Sequence, residues 1–384
     1  MSQLAISQCD DPHAFTSLRG EWNSLLERSG SRSVFLRWEW LHGWWRHLGS
    51  GSTLLLLLAR DAEGTLVGIA PLCVRSAGRG PWSRTVSFLG TTFISSEYLD
   101  LVAAPGREAE VAEAIWRALL ARSAEWDCIA LTDLRDSSVA LTHWSRLGDD
   151  SRFLVERATC QECPYIELPP TVDEFWKRLT PTMRATVRRR TRKLEETGVR
   201  YRIVEEPAEM AATLDLLYEL HAKRWATRDQ AGKFRDEAVR GFHRELTATM
   251  GGGARQRLGT LTHGDRVIGA LYWLEYGGIV SFYQMGYQPA PPDPQLNWSY
   301  YSPGTVLLGH CMVDAVEGGF TEFDFLRGYE PYKRRWTATW RPTWTLTLIP
   351  ANRPMTRGLH RLGGWIRASK RRVRRLIPAE EQHG

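Results

Sequence analysis

Two stretches of this 384-residue chain pass through the same order of elements, and that repetition limits the possible folds more than any other feature. In the first, "TLLLLLAR", "TLVGIAPLCVR" and "RTVSFLGTTF" read as strands separated by Gly, Asp and Pro turns. The helix "APGREAEVAEAIWRALLARS" follows, with Pro105 placed near its start, and then the strand "DCIALTDLR". In the second, "RQRLGTLTH", "DRVIGALYWLEY" and "GIVSFYQMGYQ" read as a three-strand meander. The helix "SPGTVLLGHCMVDAVEGG" and the strand "TEFDFLR" complete it. Three dipeptides keep the same order in both: Val67-Gly68 answers Ile268-Gly269, Pro105-Gly106 answers Pro303-Gly304, and Leu134-Arg135 answers Leu326-Arg327. The expectation is an internal duplication of an α+β (α/β) unit with a mixed, largely antiparallel sheet. Residues 1–164 form the first unit and 165–350 the second, with a basic helical insert at 171–250 and a basic tail at 351–384.

Bulk properties suit this plan. At 43% hydrophobic and 24% charged residues the chain is globular in composition, and 17 tryptophans, many at helical or strand spacing, are expected mostly in the core. The start "MSQLAISQCDDPHAF" lacks a basic, then apolar, leader, and the aliphatic run Leu54–Leu58 is too short to span a bilayer, so the expected location is cytoplasmic. Six cysteines include one CxxC pair, Cys160 and Cys163, without a second ligand pair nearby; no metal is expected, and the thiols read as reduced and structural.

Charge is concentrated in a few segments. "FDFLRGYEPYKRRW" sets ionisable groups among aromatics at a strand end. Asp324 alternates with Phe323 and Phe325 and so faces the opposite side of the sheet. Arg327 and Lys333 either clamp an anion or pair internally with Asp324 and Glu330. In "SPGTVLLGH", Ser302 can cap, Pro303 suits the first helical position, and Gly304 leaves room for a ligand near the backbone. No acid occupies this first turn, so its N–H groups could receive a pyrophosphate, whereas Glu108, Glu110 and Glu113 would repel one from the duplicate helix. In "PTMRATVRRRTRKLEETG", Met183, Val187 and Leu194 share one helical face. Arg184, Arg188, Arg189, Arg190, Arg192 and Lys193 cover the rest, a charge density suited to a polyanion: cofactor phosphates, a nucleotide-activated substrate, tRNA or anionic lipid. "LYELHAKRWATRDQAGKF" groups His221, Arg224, Trp225 and Arg228, with His221 a base or a structural histidine. The tail "RGLHRLGGWIRASKRRVRRLIP" is a basic amphipathic helix that either docks on the domain or lies on an anionic membrane, the peripheral inner-face contact expected here.

With these motifs, residues 165 to 350 resemble the GNAT-like acetyltransferase domain of the CelD/BcsL family, associated by name with cellulose and exopolysaccharide biosynthesis and related to the FemABX peptidyl transferases. The segments that carry the resemblance are "RRRTRKLEE", "LHAKRW" with the later "GKF", "VIGALYWLEYGGIVSFYQMGY", the "SPG" helix start and "DFLRGYEPYKRRW". The resemblance implies tandem GNAT folds and direct acyl transfer from acyl-coenzyme A, usually acetyl-CoA, to an amine or hydroxyl of a small-molecule or glycan acceptor. It implies that backbone N–H groups of "SFYQMGY", at Gln284 and Met285, polarise the thioester carbonyl, and that Ser302, Gly304 and Thr305 hold the pyrophosphate. Asp324 would be the general base, with Glu330 and His221 behind it, and Tyr332 would return a proton to the leaving thiolate. Arg184, Arg188, Arg224, Trp225, Arg327, Lys333 and Arg335 complete the candidate site as substrate-binding groups. Two other readings stay open: a FemABX-like transferase using aminoacyl-tRNA, and a non-catalytic module of a polysaccharide-synthesis assembly. No DNA partner is expected.

Overall fold

The computed structural model describes residues 4–76, 84–91, 94, 96–148, 152–226, 236–288, 298–328 and 330–358. Most of the basic tail, residues 359–384, lies outside them. The first unit contains β1 (Ala5–Cys9), α1 (Pro12–Ser17), α2 (Arg19–Arg28), α3 (Trp38–Leu48), β2 (Ser52–Arg60), β3 (Leu66–Ser76) and β4 (Arg84–Phe88). It continues with β5 (Val102–Ala103), α4 (Glu108–Ala121), β6 (Cys128–Leu134), α5 (Val139–Leu147) and β7 (Phe153–Glu167). Next come α6 (Val172–Arg178), α7 (Pro181–Glu196), β8 (Val199–Val204), α8 (Pro207–Ala226) and α9 (Glu237–Thr249). The meander β9 (Arg255–His263), β10 (Arg266–Tyr276) and β11 (Ile279–Tyr287) follows. The chain then forms α10 (Trp298–Tyr301), α11 (Pro303–Glu317), β12 (Glu322–Asp324) and β13 (Trp340–Pro350).

The strand order across the sheet is β1-β2-β3-β4-β6-β13-β7-β12-β11-β10-β9-β8, which reads alike from both edges once the two units are matched. In the first unit β1 to β4 pair antiparallel and β4 pairs parallel with β6; in the second β8 to β11 pair antiparallel and β11 pairs parallel with β12. The duplication expected from the sequence is present strand by strand. At the centre the units trade their last strands. β7 leaves the first unit to pair with β12 of the second, β13 returns to pair with β6 of the first, and the two pair with each other from Phe153 to Pro164.

Local sequence explains these elements. β2 and β3 are buried along nearly their whole length, which is why they read as continuous apolar runs rather than alternating ones. α7 starts at Pro181 with the Thr180 hydroxyl accepting the Met183 N–H, and it buries Met183, Val187 and Leu194 as its spacing predicts. The matched glycines have one job in both units. A Cβ on Gly68 would lie 2.4 Å from a Val111 methyl on α4, and one on Gly269 would lie 3.1 Å from a Leu307 methyl on α11. Each glycine lets the helix that follows the meander sit against its second strand.

Two expectations change. Pro105 is not in the first turn of α4, which begins at Glu108 behind an Arg107 cap, so the Pro-Gly pair is a turn in the first unit and a helix start only in the second. The stretch 171–250 is not wholly helical either. It carries β8, an edge strand of the sheet, because "VRYRIV" alternates and pairs with β9.

Over-packing gives a direct test of this helix–strand contact. Gly68→Ala is expected to cost about 1–3 kcal/mol, because Val111 belongs to a packed core. Gly269→Ala is expected to cost about 1 kcal/mol or less, because the end of a leucine can shift. Urea denaturation of both variants measures the difference; equal losses would contradict the tighter contact at Gly68.

Candidate active site

In the second unit β11 and β12 are joined only from Ile279–Ser281 to Glu322–Asp324. Beyond that point they part, for two local reasons. Tyr283 is an extra residue in the ladder with β10, where Phe282 faces Trp273 and Gln284 faces Tyr272; such a bulge bends its strand. On the other side Leu326 adopts a left-handed φ of 55°, which ends β12. Asp324 is therefore the last paired residue at a fork. Its carboxylate is buried on the face away from Phe323 and Phe325, as alternation predicts. One oxygen accepts the Leu326 N–H at 2.7 Å and the other the Tyr98 hydroxyl at 2.8 Å. Burial raises its pKa, against the pull of Arg341 and these two donors.

Backbone strain collects at this place. Among the described residues the non-glycine positions with positive φ are Tyr98, Asp133, Ser302 and Leu326. Tyr98 holds Asp324, Leu326 donates to it, Ser302 opens α11, and the Tyr98 N–H bonds the Asp133 carbonyl at 2.9 Å. Each such residue costs about 1–3 kcal/mol and persists where surroundings over-determine it, which is characteristic of functional sites.

The remaining sequence candidates divide into those the fold brings to the fork and those it uses elsewhere. Met285 is buried beside the fork, and its N–H donates to the Gln284 side-chain oxygen at 2.9 Å. α11 begins there as well, with no acid in its first turn. Ser302 makes no side-chain cap, since its left-handed backbone turns the chain instead. Gly304 is not an opening for a ligand: a Cβ there would lie 2.9 Å from Met285 Cε and 3.1 Å from Tyr287 Cε1, so the missing side chain admits β11. The Thr305 N–H is bonded to the Ser302 carbonyl at 2.9 Å, while its side chain is half-buried. His221 is buried on α8 beside the end of β11, where a Cβ on Gly286 would lie 3.1 Å from its N atom.

Arg327 and Lys333 do not form an anion clamp. Arg327 reaches into the first unit, bonding Glu97, Asp133 (3.3 Å) and the Ser96 carbonyl (3.2 Å). Lys333 is buried and donates to the Arg327 carbonyl at 2.8 Å and to Glu330 at 3.0 Å, so Glu330 and Lys333 tie the loop together. Tyr332 packs against the core cluster that holds Phe323 and Phe325, the face Asp324 turns away from. On α7, Arg184 donates to the Trp176 carbonyl at 3.3 Å and the Arg188 guanidinium lies 5.1 Å from the Trp176 ring, so both fold back on α6. Arg335 is exposed and close enough to Arg190 to depress its pKa, after burial and ahead of Arg189. Arg224 and Trp225 fall on the last turn of α8, with side chains outside the described residues; Arg228 and "GKF" lie outside them entirely. Among the described residues no group of His, Cys, Asp and Glu could hold a metal ion, and no helix is long and apolar enough to cross a membrane.

Sequence reading missed Tyr98, Glu97 and Asp133 from the first unit, and Arg341 on β13 of the second. Only Asp133 had a signal, as the neighbour of the Leu134-Arg135 anchor that matches Leu326-Arg327.

Comparison with known proteins agrees with this topology. Residues 181–334 match the family model of the acetyltransferase (GNAT) domain. No curated protein matches the chain. Among solved structures it is similar to FemX at 12% identity and a TM-score of 0.62, covering 88% of this chain and 97% of that one. It is also similar to the C-terminal domain (DUF2156) assigned to a lysylphosphatidylglycerol synthetase from Agrobacterium fabrum, at 11% identity and a TM-score of 0.53, covering 89% and 95%. A conserved protein of unknown function from Bacteroides thetaiotaomicron gives 10% identity and a TM-score of 0.55, covering 90% and 100%. At these identities the likeness is one of fold: a GNAT-type fold, α+β, with a mixed sheet.

Arg327→Ala separates an ion-pair role from a ligand-binding one. It would leave Glu97 and Asp133 buried without their cation, a loss of about 3–5 kcal/mol. Burial already pushes Glu97 up to about 7, against Arg327. Without the guanidinium Glu97 favours its protonated form further, so the loss of thermal stability is expected to be larger at pH 8 than at pH 5. A variant with unchanged melting at both pH values would contradict this assignment.

Proposed function

We propose that this chain is an acyltransferase that moves an acyl group, of which acetyl is the simplest, from acyl-coenzyme A directly onto a hydroxyl or amine of a small-molecule or glycan acceptor. The observation that carries the reading is the fork. Asp324, a buried carboxylate with a raised pKa, sits where β11 leaves β12, amid four strained residues and beside an acid-free helix start. The first unit has the same topology but carries Glu108 and Glu110 in the matching turn, which disfavours a phosphate there.

The donor's pyrophosphate would meet the start of α11 near Ser302 and Thr305, with its pantetheine running into the parting of the strands. The Met285 N–H, now given to the Gln284 amide oxygen, is the donor a thioester carbonyl would take over. Asp324 would accept the proton of the attacking group, and burial suits it to that task by raising its pKa toward working pH. Tyr98 would hold the carboxylate in place from the first unit.

A second reading is favoured by one feature. Arg190 faces the like charges of Arg335 and Arg189, an arrangement suited to a polyanion, so an aminoacyl-tRNA donor is the competing proposal. Calorimetry with acetyl-CoA against charged tRNA separates the two. Thr305→Glu refines the test. An acid at the third helical position favours the helix by about 0.3–1 kcal/mol, so folding is kept, yet it repels phosphate. Coenzyme A affinity is expected to fall about tenfold to a hundredfold, or about 1.4–2.8 kcal/mol. Asp324→Asn is expected to keep donor affinity and lower kcat by about 10²–10⁴. In the unmodified enzyme kcat/KM should rise with pH through the raised carboxyl pKa. Donor affinity unaffected by Thr305→Glu would remove α11 from the proposal, and full turnover in Asp324→Asn would remove the base.

A further inference from the structure

A cavity of about 260 Å³ lies between the two units. Asp324 and Ser281, the last pair before the fork, line one side; the turn around Ser31, the segment at Tyr98 and the start of α5 line the other. The candidate base thus looks into a space that the second unit cannot form alone. The volume is just below the usual range for ligand pockets and equals that of about nine waters, the scale of one substituted six-membered ring.

The groups facing this space select among ligands. An anion would meet three carboxylates, Asp100, Glu108 and Asp324. The two cations nearby already face protein groups. Arg32 donates to the Gly277 carbonyl at 2.5 Å and to the Thr321 hydroxyl at 2.7 Å; Arg135 lies 4.4 Å over the Tyr98 ring and 3.6 Å from Glu322. Arg135 therefore lies over the Tyr98 ring, with Arg341 also near it at 5.9 Å, and the residue is buried, which leaves little of the ring for a planar ligand to stack on. Asp100 is saturated by the Ser138 hydroxyl and the N–H groups of Leu101, Val139 and Ala140. What remains is a mixed lining: apolar Val34, Phe35, Leu99 and Ile279, and the hydroxyls of Ser31, Ser33, Ser137 and Ser281, which can donate and accept, beside an Asp324 carboxylate with lone pairs to spare.

We propose that this cavity is the acceptor site and that it takes a small, uncharged, polyhydroxylated molecule the size of a single sugar or cyclitol ring. The proposal rests on the acyl-transfer reading. An acceptor oxygen bonds to the acyl carbon, its proton passes to Asp324, and the C–S bond breaks with its electron pair leaving on the coenzyme A thiolate. The first unit, whose acidic α4 start disfavours a pyrophosphate, then serves as the wall that selects the acceptor.

Saturation-transfer NMR on the full chain, with myo-inositol as probe and no donor present, tests this. Saturation transfer to inositol is expected, undiminished by inorganic phosphate. Ser137→Trp puts a ring over the mouth from an exposed position, so it is expected to keep the fold and coenzyme A affinity while losing the inositol signal. Thr305→Glu should do the reverse. Absence of transfer in the folded wild type, transfer that persists in Ser137→Trp, or displacement of inositol by phosphate each overturns the acceptor proposal. Inositol binding without any coenzyme A binding instead overturns the acyl-donor reading.

Discussion

The ladder between β7 and β13 is the interaction on which the rest of the structure depends. Every backbone N–H and C=O buried in a sheet needs a partner. The first unit's inner strand β6 finds part of its ladder on β13, which belongs to the end of the chain, and β12 finds part of its own on β7, which belongs to the first unit. β12 is only three residues long. Joined to β11 alone it would be a marginal parallel pair; held also by β7 it becomes a fixed internal strand, and Asp324 at its end gains a defined position. The fork exists because β12 is short, and it can be short because another unit's strand supports it.

The seam carries buried charges as well as backbone bonds. Arg327 crosses to Glu97 and Asp133, and Arg37, almost fully buried in the first unit, donates to the carbonyls of Gly251 (2.8 Å) and Gly252 (3.0 Å) in the second. Such groups contribute little net stability, because desolvation offsets the attraction, but a misaligned seam would leave them unpaired. Their effect is to fix how the two units meet. That alignment sets the position of Tyr98 against Asp324.

The two units carry forks of one design that differ in the groups around them. β4 and β6 pair only at Thr85–Val86 and Cys128–Ile129, just as β11 and β12 pair over a short ladder. In the first unit α4 starts with acids, and Asp100 is spent capping α5. In the second α11 starts without acids behind a strained serine. One unit has an acid-free helix start, and the other lines the shared seam and brings the Tyr98 hydroxyl to Asp324.

The sequence by itself determined the local elements and their order. β2, β3 and β9 to β11 follow from apolar runs and turn residues, α7 and α11 from periodicity and proline placement, and the duplication from the matching order of elements and of three dipeptides. It also determined which way Asp324 faces, since alternation along a strand is a local property. Only the tertiary structure decided what these residues do together. β7 was unread because it is charged and exposed over much of its length, and β13 gave no sign that its partners lie in the first unit. The partners of Arg327 and Asp324 lie about two hundred residues away, a separation that no motif spacing encodes. Gly304 looked like room for a ligand and is filled by Met285 and Tyr287, because whether a missing side chain leaves space depends on what the fold packs against it. Periodicity is written in neighbouring residues, but the site is written in contacts across the seam, and those exist only once the two units have exchanged strands.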